Sequence, residues 1–156
     1  MTISEIRRVS LMFLTLAIGS TQAQNKSDFN GTWKMDAAKS EFGSGPAPQS
    51  RTDRISYADP NLKDTITQNI NGNETTYDMN YTTDGKECDN KVRNNPVKST
   101  ARWEGEELVV DSKVFAIREQ SMKDRWTVSA DGKTLTLQRH MTGHFNTDQK
   151  IVFEKQ

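Results

Sequence analysis

The chain has 156 residues, and its 21 lysines and arginines are balanced by 21 aspartates and glutamates. That neutrality leaves no field to gather nucleic acid or anionic lipid, so neither is an expected partner. A lone cysteine, Cys88, excludes an internal disulfide, and the fold must hold together through its core.

The first element in chain order reads as a secretory signal. Arg7 and Arg8 open it, an apolar run follows over residues 11–18, and small and polar residues fill 19–23. This order predicts cleavage after Ala23. The apolar run is too short to cross a bilayer, which takes ~20 residues, so no membrane span is expected. No cysteine follows the cleavage point, which argues against a lipid anchor. The competing reading is a buried N-terminal helix. Residues 1–23 are thus expected as signal peptide and 24–156 as one β-barrel domain, secreted or periplasmic.

Beyond Gln24 the chain reads as strands and turns. Residues 29–34 place Gly31 two positions before Trp33, a pattern suited to a sharply bent first strand with a large apolar plug. Period-two alternation then predicts strands over 31–36, 51–58, 62–70, 74–83, 97–104, 107–113, 117–129, 134–141 and 149–155. The turn pairs Asn71-Gly72, Asp84-Gly85 and Asp131-Gly132 punctuate them where tight hairpins need positive φ. Short strands with no helix between them predict an antiparallel up-and-down β-barrel of about eight to ten strands, whose closure removes exposed edges.

Two segments break the alternation. Residues 36–50 predict a short helical turn ended by Gly43, then a Gly/Pro-rich loop lying across one mouth of the barrel. Residues 84–96 read as a long polar loop around Cys88. Cys88 is expected as an incidental, partly buried thiol, with a reactive thiol or an intermolecular bridge as the sharper alternative.

Strand parity selects the interior. Tyr77, Met79 and Tyr81 share one face, as do Ala101 and Trp103, and Met122, Trp126 and Val128 share another that also carries Asp124. Leu135, Leu137, Arg139 and Met141 line up likewise, as do Ile151 and Phe153. Mostly apolar walls with a few polar groups suit a ligand cavity, and a filled barrel core reads the same way. Tyr77, Met79, Tyr81, Trp103, Met122, Trp126 and Arg139 are the candidate ligand-binding residues.

Residues 30–34, Asn30-Gly31-Thr32-Trp33-Lys34, resemble the first-strand motif of the calycin superfamily, the lipocalins and fatty-acid-binding proteins. The ending over 150–155 looks like the last strand of the fatty-acid-binding branch. Residues 33–42, 131–137 and 153–155 together look like exported bacterial lipocalin-like proteins of uncharacterised function. The resemblance implies a barrel binding an apolar molecule, with an arginine from a late strand against the motif tryptophan; Arg139 is the candidate. Departures are informative. Ile151 and Phe153 stand where fatty-acid-binding proteins carry the Arg-x-Tyr pair that holds a carboxylate, and residues 36–50 cannot build their two-helix lid.

Catalytic patterns are sparse. His140 and His144 are four apart, but on a strand that spacing stretches to ~13 Å, which suits exposed histidines better than a metal site. Asp53, Asp64, Asp78, Asp111 and Asp124 are scattered over different strands, and no nucleophile elbow or phosphate-binding glycine loop is present. The reading that results is a non-enzymatic, cofactor-free and metal-free exported barrel that binds a small apolar or amphipathic ligand non-covalently, as a monomer or as a dimer through Cys88. The alternative is a protein-binding module, such as an enzyme inhibitor, with a filled barrel and residues 84–96 as its surface. A barrel enzyme using Asp124 or His140 as acid or base is the third reading.

Overall fold

The computed structural model describes residues 26–156; residues 1–23, expected as signal peptide, lie outside the described residues. Ten strands follow one another: β1 Gly31–Met35, β2 Ser50–Ala58, β3 Asn61–Ile70, β4 Asn73–Thr82, β5 Asp84–Val92, β6 Asn95–Glu104, β7 Glu107–Val114, β8 Gln120–Val128, β9 Thr134–Gly143 and β10 Thr147–Lys155. They form one antiparallel sheet in the order β4-β3-β2-β1-β10-β9-β8-β7-β6-β5. Each strand pairs with its chain neighbour, β1 closes on β10, and the ladder is interrupted only between β4 and β5. The result is an up-and-down, nearly closed barrel, and among the described residues no helix is long and apolar enough to cross a membrane.

The hairpin turns fall at the expected dipeptides. Gly72, Gly85 and Gly132 all hold positive φ, the conformation that tight turns impose and L side chains resist. Gly31 has a different reason. Its φ is 134°, and a Cβ there would sit 2.8 Å from Lys155 Cε, so a side chain would collide where β1 meets β10.

One end of the barrel is plugged by aromatic rings. Phe29 and Trp33 are fully buried, and Trp33 Nε1 donates a 2.7 Å hydrogen bond to the Phe29 carbonyl. Phe29 in turn stacks on Trp103 at 5.6 Å and meets Trp126 edge-on at 5.9 Å. The cation over Trp33 is not Arg139. Lys155 Nζ lies 5.1 Å from the indole ring centre, because β10 ends beside β1 and brings its last lysine there. Arg139 faces Asp124 directly across the β8–β9 pair.

Two expected loops differ. Residues 84–96 are not a loop: 84–92 are β5, and β6 has begun by Asn95. This strand lacks apolar alternation because it runs along the seam, where only Val92 packs against the core and most side chains meet water. Residues 36–42 form turns rather than a helix. Asp36 Oδ1 accepts from the amides of Ala38 and Lys39, and Glu41 then makes a two-way backbone bridge to Lys150, at 2.7 and 2.8 Å. Pairing with β10 satisfies more backbone than a single helical turn would. At β8, residues 117–119 stay outside the strand, and Ile117 is fully exposed.

Side chains close the β4–β5 seam. The amide of Asn80 donates to Asn90 Oδ1 at 2.7 Å, and Asn90 Nδ2 donates back to the Asn80 carbonyl at 2.8 Å. Asn90 thus imitates one rung of a ladder. Cys88 lies one step along the same seam, with its sulfur 3.4 Å from Thr82 Oγ1. Replacing Asn90 by Ala is expected to cost ~1 kcal/mol and to speed amide exchange at Asn80 selectively. Unchanged exchange there would show the seam closed without Asn90.

Candidate functional site

The barrel interior holds a partly open cavity of about 220 Å³. Its walls come from the inward positions of β2–β4 and β5–β10, and residues Phe42, Pro46 and Pro48 of the 36–49 connection roof its mouth. The roof is tied down: Gln149 Nε2 donates to the Phe42 carbonyl at 3.1 Å. Period-two geometry explains the lining, since every second residue of a half-buried strand faces inward.

Of the seven residues expected at the site, Tyr77, Met79, Tyr81, Met122, Trp126 and Arg139 line this cavity together. Trp103 does not. It belongs to the plugged end, stacked on Phe29 with its Nε1 donating to Tyr57 Oη at 3.2 Å. Trp126 spans both regions, meeting Phe29 on one side and Tyr81 edge-on at 6.2 Å on the other. Its Nε1 is buried and has no hydrogen-bond partner among the described residues.

Charge inside the barrel is arranged in pairs. Arg139 grips Asp124 through Nε and Nη2, at 2.8 and 2.7 Å. Arg51 grips Asp53 the same way, with both contacts at 2.7 Å. Burial opposes the charge of each guanidinium, but the partner carboxylate outweighs it and holds both arginines above their ordinary pKa. Arg51 also lies 5.4 Å over the Phe153 ring.

Asp64 is the exception. Its side chain is completely buried, and among the described residues no donor reaches either oxygen. It sits diagonal to Asp53, because Asp53 pairs with Ile66 and Asp64 with Ile55 in the β2–β3 register. Burial first, then the Asp53 charge, pushes the Asp64 carboxyl well above the ordinary range, with the Arg51 charge acting the other way. A proton on Asp64 can be donated to Asp53, so a neutral acid here satisfies what an ion could not. Burial likewise raises the Tyr77 and Tyr81 phenols, which therefore remain protonated hydrogen-bond donors.

Arg51, Asp53 and Asp64 were not among the expected site residues. The signal was present in the parity: Arg51 and Asp53 precede Ile55 at period two, on the face that β2 buries. Read without its neighbours, each was only a charged residue on a strand.

The remaining candidates fall outside the barrel. His140 is exposed and paired with Asp148, so it is not brought together with inward-facing Asp124. Among the described residues no group of His, Cys, Asp or Glu could hold a metal ion. Arg102 and Arg125 face outward and are tied to Glu104, Asp111 and Glu107. A shallow depression on the outer wall, about 530 Å³, is lined by Lys98, Lys113 and Lys123. Each of these lysines is already paired with an acidic side chain. The barrel interior is the better candidate, since an apolar wall with few polar groups is what small-ligand sites share.

No family model matches the sequence, and no curated protein matches it either. Solved structures do match its fold. A secretory abundant heat soluble protein from Ramazzottius varieornatus is 14% identical, with a TM-score of 0.62 over 85% of this chain and 98% of that one. Lipid binding protein 8 of Caenorhabditis elegans, in its apo form, is 10% identical, with a TM-score of 0.58 over 82% of this chain and 95% of that one. A fatty acid binding protein of Schistosoma mansoni, in complex with arachidonic acid, is 14% identical, with a TM-score of 0.51 over 82% of this chain and 96% of that one. At these identities the likeness is one of fold alone, an antiparallel up-and-down barrel.

Proposed function

We propose that the protein is an exported carrier that takes a small apolar or amphipathic molecule into the barrel interior, without catalysis and as a monomer. The observation that carries this reading is the interior cavity, walled by Tyr77, Met79, Tyr81, Met122 and Trp126 and roofed by Phe42, Pro46 and Pro48. A core meant only for stability gains from filling such a space, because empty volume among apolar side chains costs packing energy. Barrels of like fold support the reading: one is called a lipid binding protein and another was solved with arachidonic acid. Export rests on the basic, apolar and small-residue order of residues 1–23.

The volume of about 220 Å³ lies below the ~300–1,000 Å³ of sites for drug-sized ligands, which favours a small ligand. The test combines native mass spectrometry of the freshly purified protein with titration by the uncharged fluorophore N-phenyl-1-naphthylamine. Uptake of the probe should quench tryptophan fluorescence, and Trp126→Phe should remove most of that quenching while Trp103→Phe should not. A protein that purifies without bound mass and takes up no probe overturns the proposal.

A further inference from the structure

We propose that the ligand is an electrically neutral amphiphile, with a hydroxyl or carbonyl headgroup, and that the cavity rejects the carboxylate of a fatty acid. The inference rests on the carrier reading above and adds the chemical class of the headgroup.

A carboxylate in a closed apolar site needs a guanidinium fork or a comparable set of donors. The cavity wall carries two guanidiniums, Arg51 and Arg139. Both spend the same edge, Nε and Nη2, on an interior carboxylate: Asp53 for one, Asp124 for the other. These pairs are built deep in the fold, with Asp53 1% and Asp124 6% exposed. A ligand carboxylate that took either fork would leave a buried aspartate without its counter-ion. One that met the remaining Nη1 side of either guanidinium would share a single positive charge with the aspartate already held there, and would add a third negative charge to a space whose two positive charges are already matched. Either way the anion enters at a net loss.

A cation faces the mirror problem. Asp53 and Asp124 are occupied by their arginines, and Asp64, the unpaired carboxyl, lies behind them rather than on the cavity wall. Beside the Nη1 sides of the two charge-matched arginines, what the wall still offers is neutral: the phenols of Tyr77 and Tyr81 and the amide of Gln68. Phenols and amides both donate and accept, which suits an alcohol, aldehyde, ester or amide. The two internal ion pairs thereby act as a filter on charge, while Met79, Met122 and Trp126 accept any apolar tail of suitable size.

The decisive experiment displaces N-phenyl-1-naphthylamine from the full-length mature protein with three ligands of one chain length at pH 8: decanol, decanoate and decylammonium. Decanol should displace the probe at a concentration lower by about tenfold or more than either ion. Decanoate or decylammonium matching decanol overturns the inference and leaves the carrier reading intact. Failure of the probe itself to bind overturns the carrier reading, and this inference with it. A second arm uses Asp124→Asn, which releases the Arg139 fork without adding charge or bulk. The ratio of decanoate to decanol affinity should then rise toward or past one. A folded Asp124→Asn protein with the wild-type ratio would show that the ion pair does not set the preference. Should that variant fail to fold, the wild-type series still decides.

Discussion

Trp33→Ala is expected to destabilise the barrel by ~3–5 kcal/mol, read from urea unfolding at unchanged m-value. The indole is fully buried, it donates to the Phe29 carbonyl at 2.7 Å, and Lys155 covers its outer face. Truncation removes the plug and leaves the Phe29 carbonyl without its donor, and the rigid β1–β10 closure beside it offers little room to collapse. Trp33→Phe keeps most of the apolar volume and loses only the donor and part of the ring, so it should cost markedly less than the alanine variant. The ordering of the two separates packing from the hydrogen bond. A loss under about 1 kcal/mol for Trp33→Ala would sink the view that this residue closes the barrel.

The motif around Trp33 was legible in sequence because it combines two rare requirements: a glycine at φ 134°, a backbone conformation that L side chains rarely adopt, and a large ring two positions on. The interior was legible wherever a strand has one wet and one dry face. Tyr77, Met79 and Tyr81 on β4, and Leu135, Leu137 and Met141 on β9, announce themselves by parity alone. That rule fails at the seam. On β5 neither face is fully dry, so the residues that close the barrel, Asn90 and Cys88, carry no alternating pattern and read as loop. It also fails for interior charge. Arg139 was legible as an inward residue, but its partner depends on register across β8 and β9, and register is a long-range property. The same limit hid Asp64, which joins Arg51 and Asp53 of β2 only after β2 and β3 pair.

That cluster gives the second large effect. Arg51→Met should destabilise by ~3–5 kcal/mol near neutral pH, the usual result of stranding one member of a buried ion pair. Asp53 would then be buried, unpaired and diagonal to Asp64, whereas Arg51→Met combined with Asp53→Leu should recover much of the loss, since both charges leave together. The sign of the pH dependence follows from Asp64. Burial, then the Asp53 charge, raises its carboxyl above the unfolded value, so the folded chain binds a proton that the unfolded chain gives up. Its contribution is fully present below the unfolded pKa and is lost as pH rises toward and through the folded one. Asp64→Asn keeps the shape of the protonated acid and cannot ionise. It should therefore be more stable than the wild type at pH 8 and show a flatter stability profile above pH 4, measured by urea unfolding across that range. Arg51→Met should steepen the same profile, because Arg51 is the charge that now lowers the Asp64 value. If Asp64→Asn proves less stable than the wild type at pH 8, the buried carboxyl is ionised and held by Arg51, and the cluster stores a net negative charge rather than a shared proton.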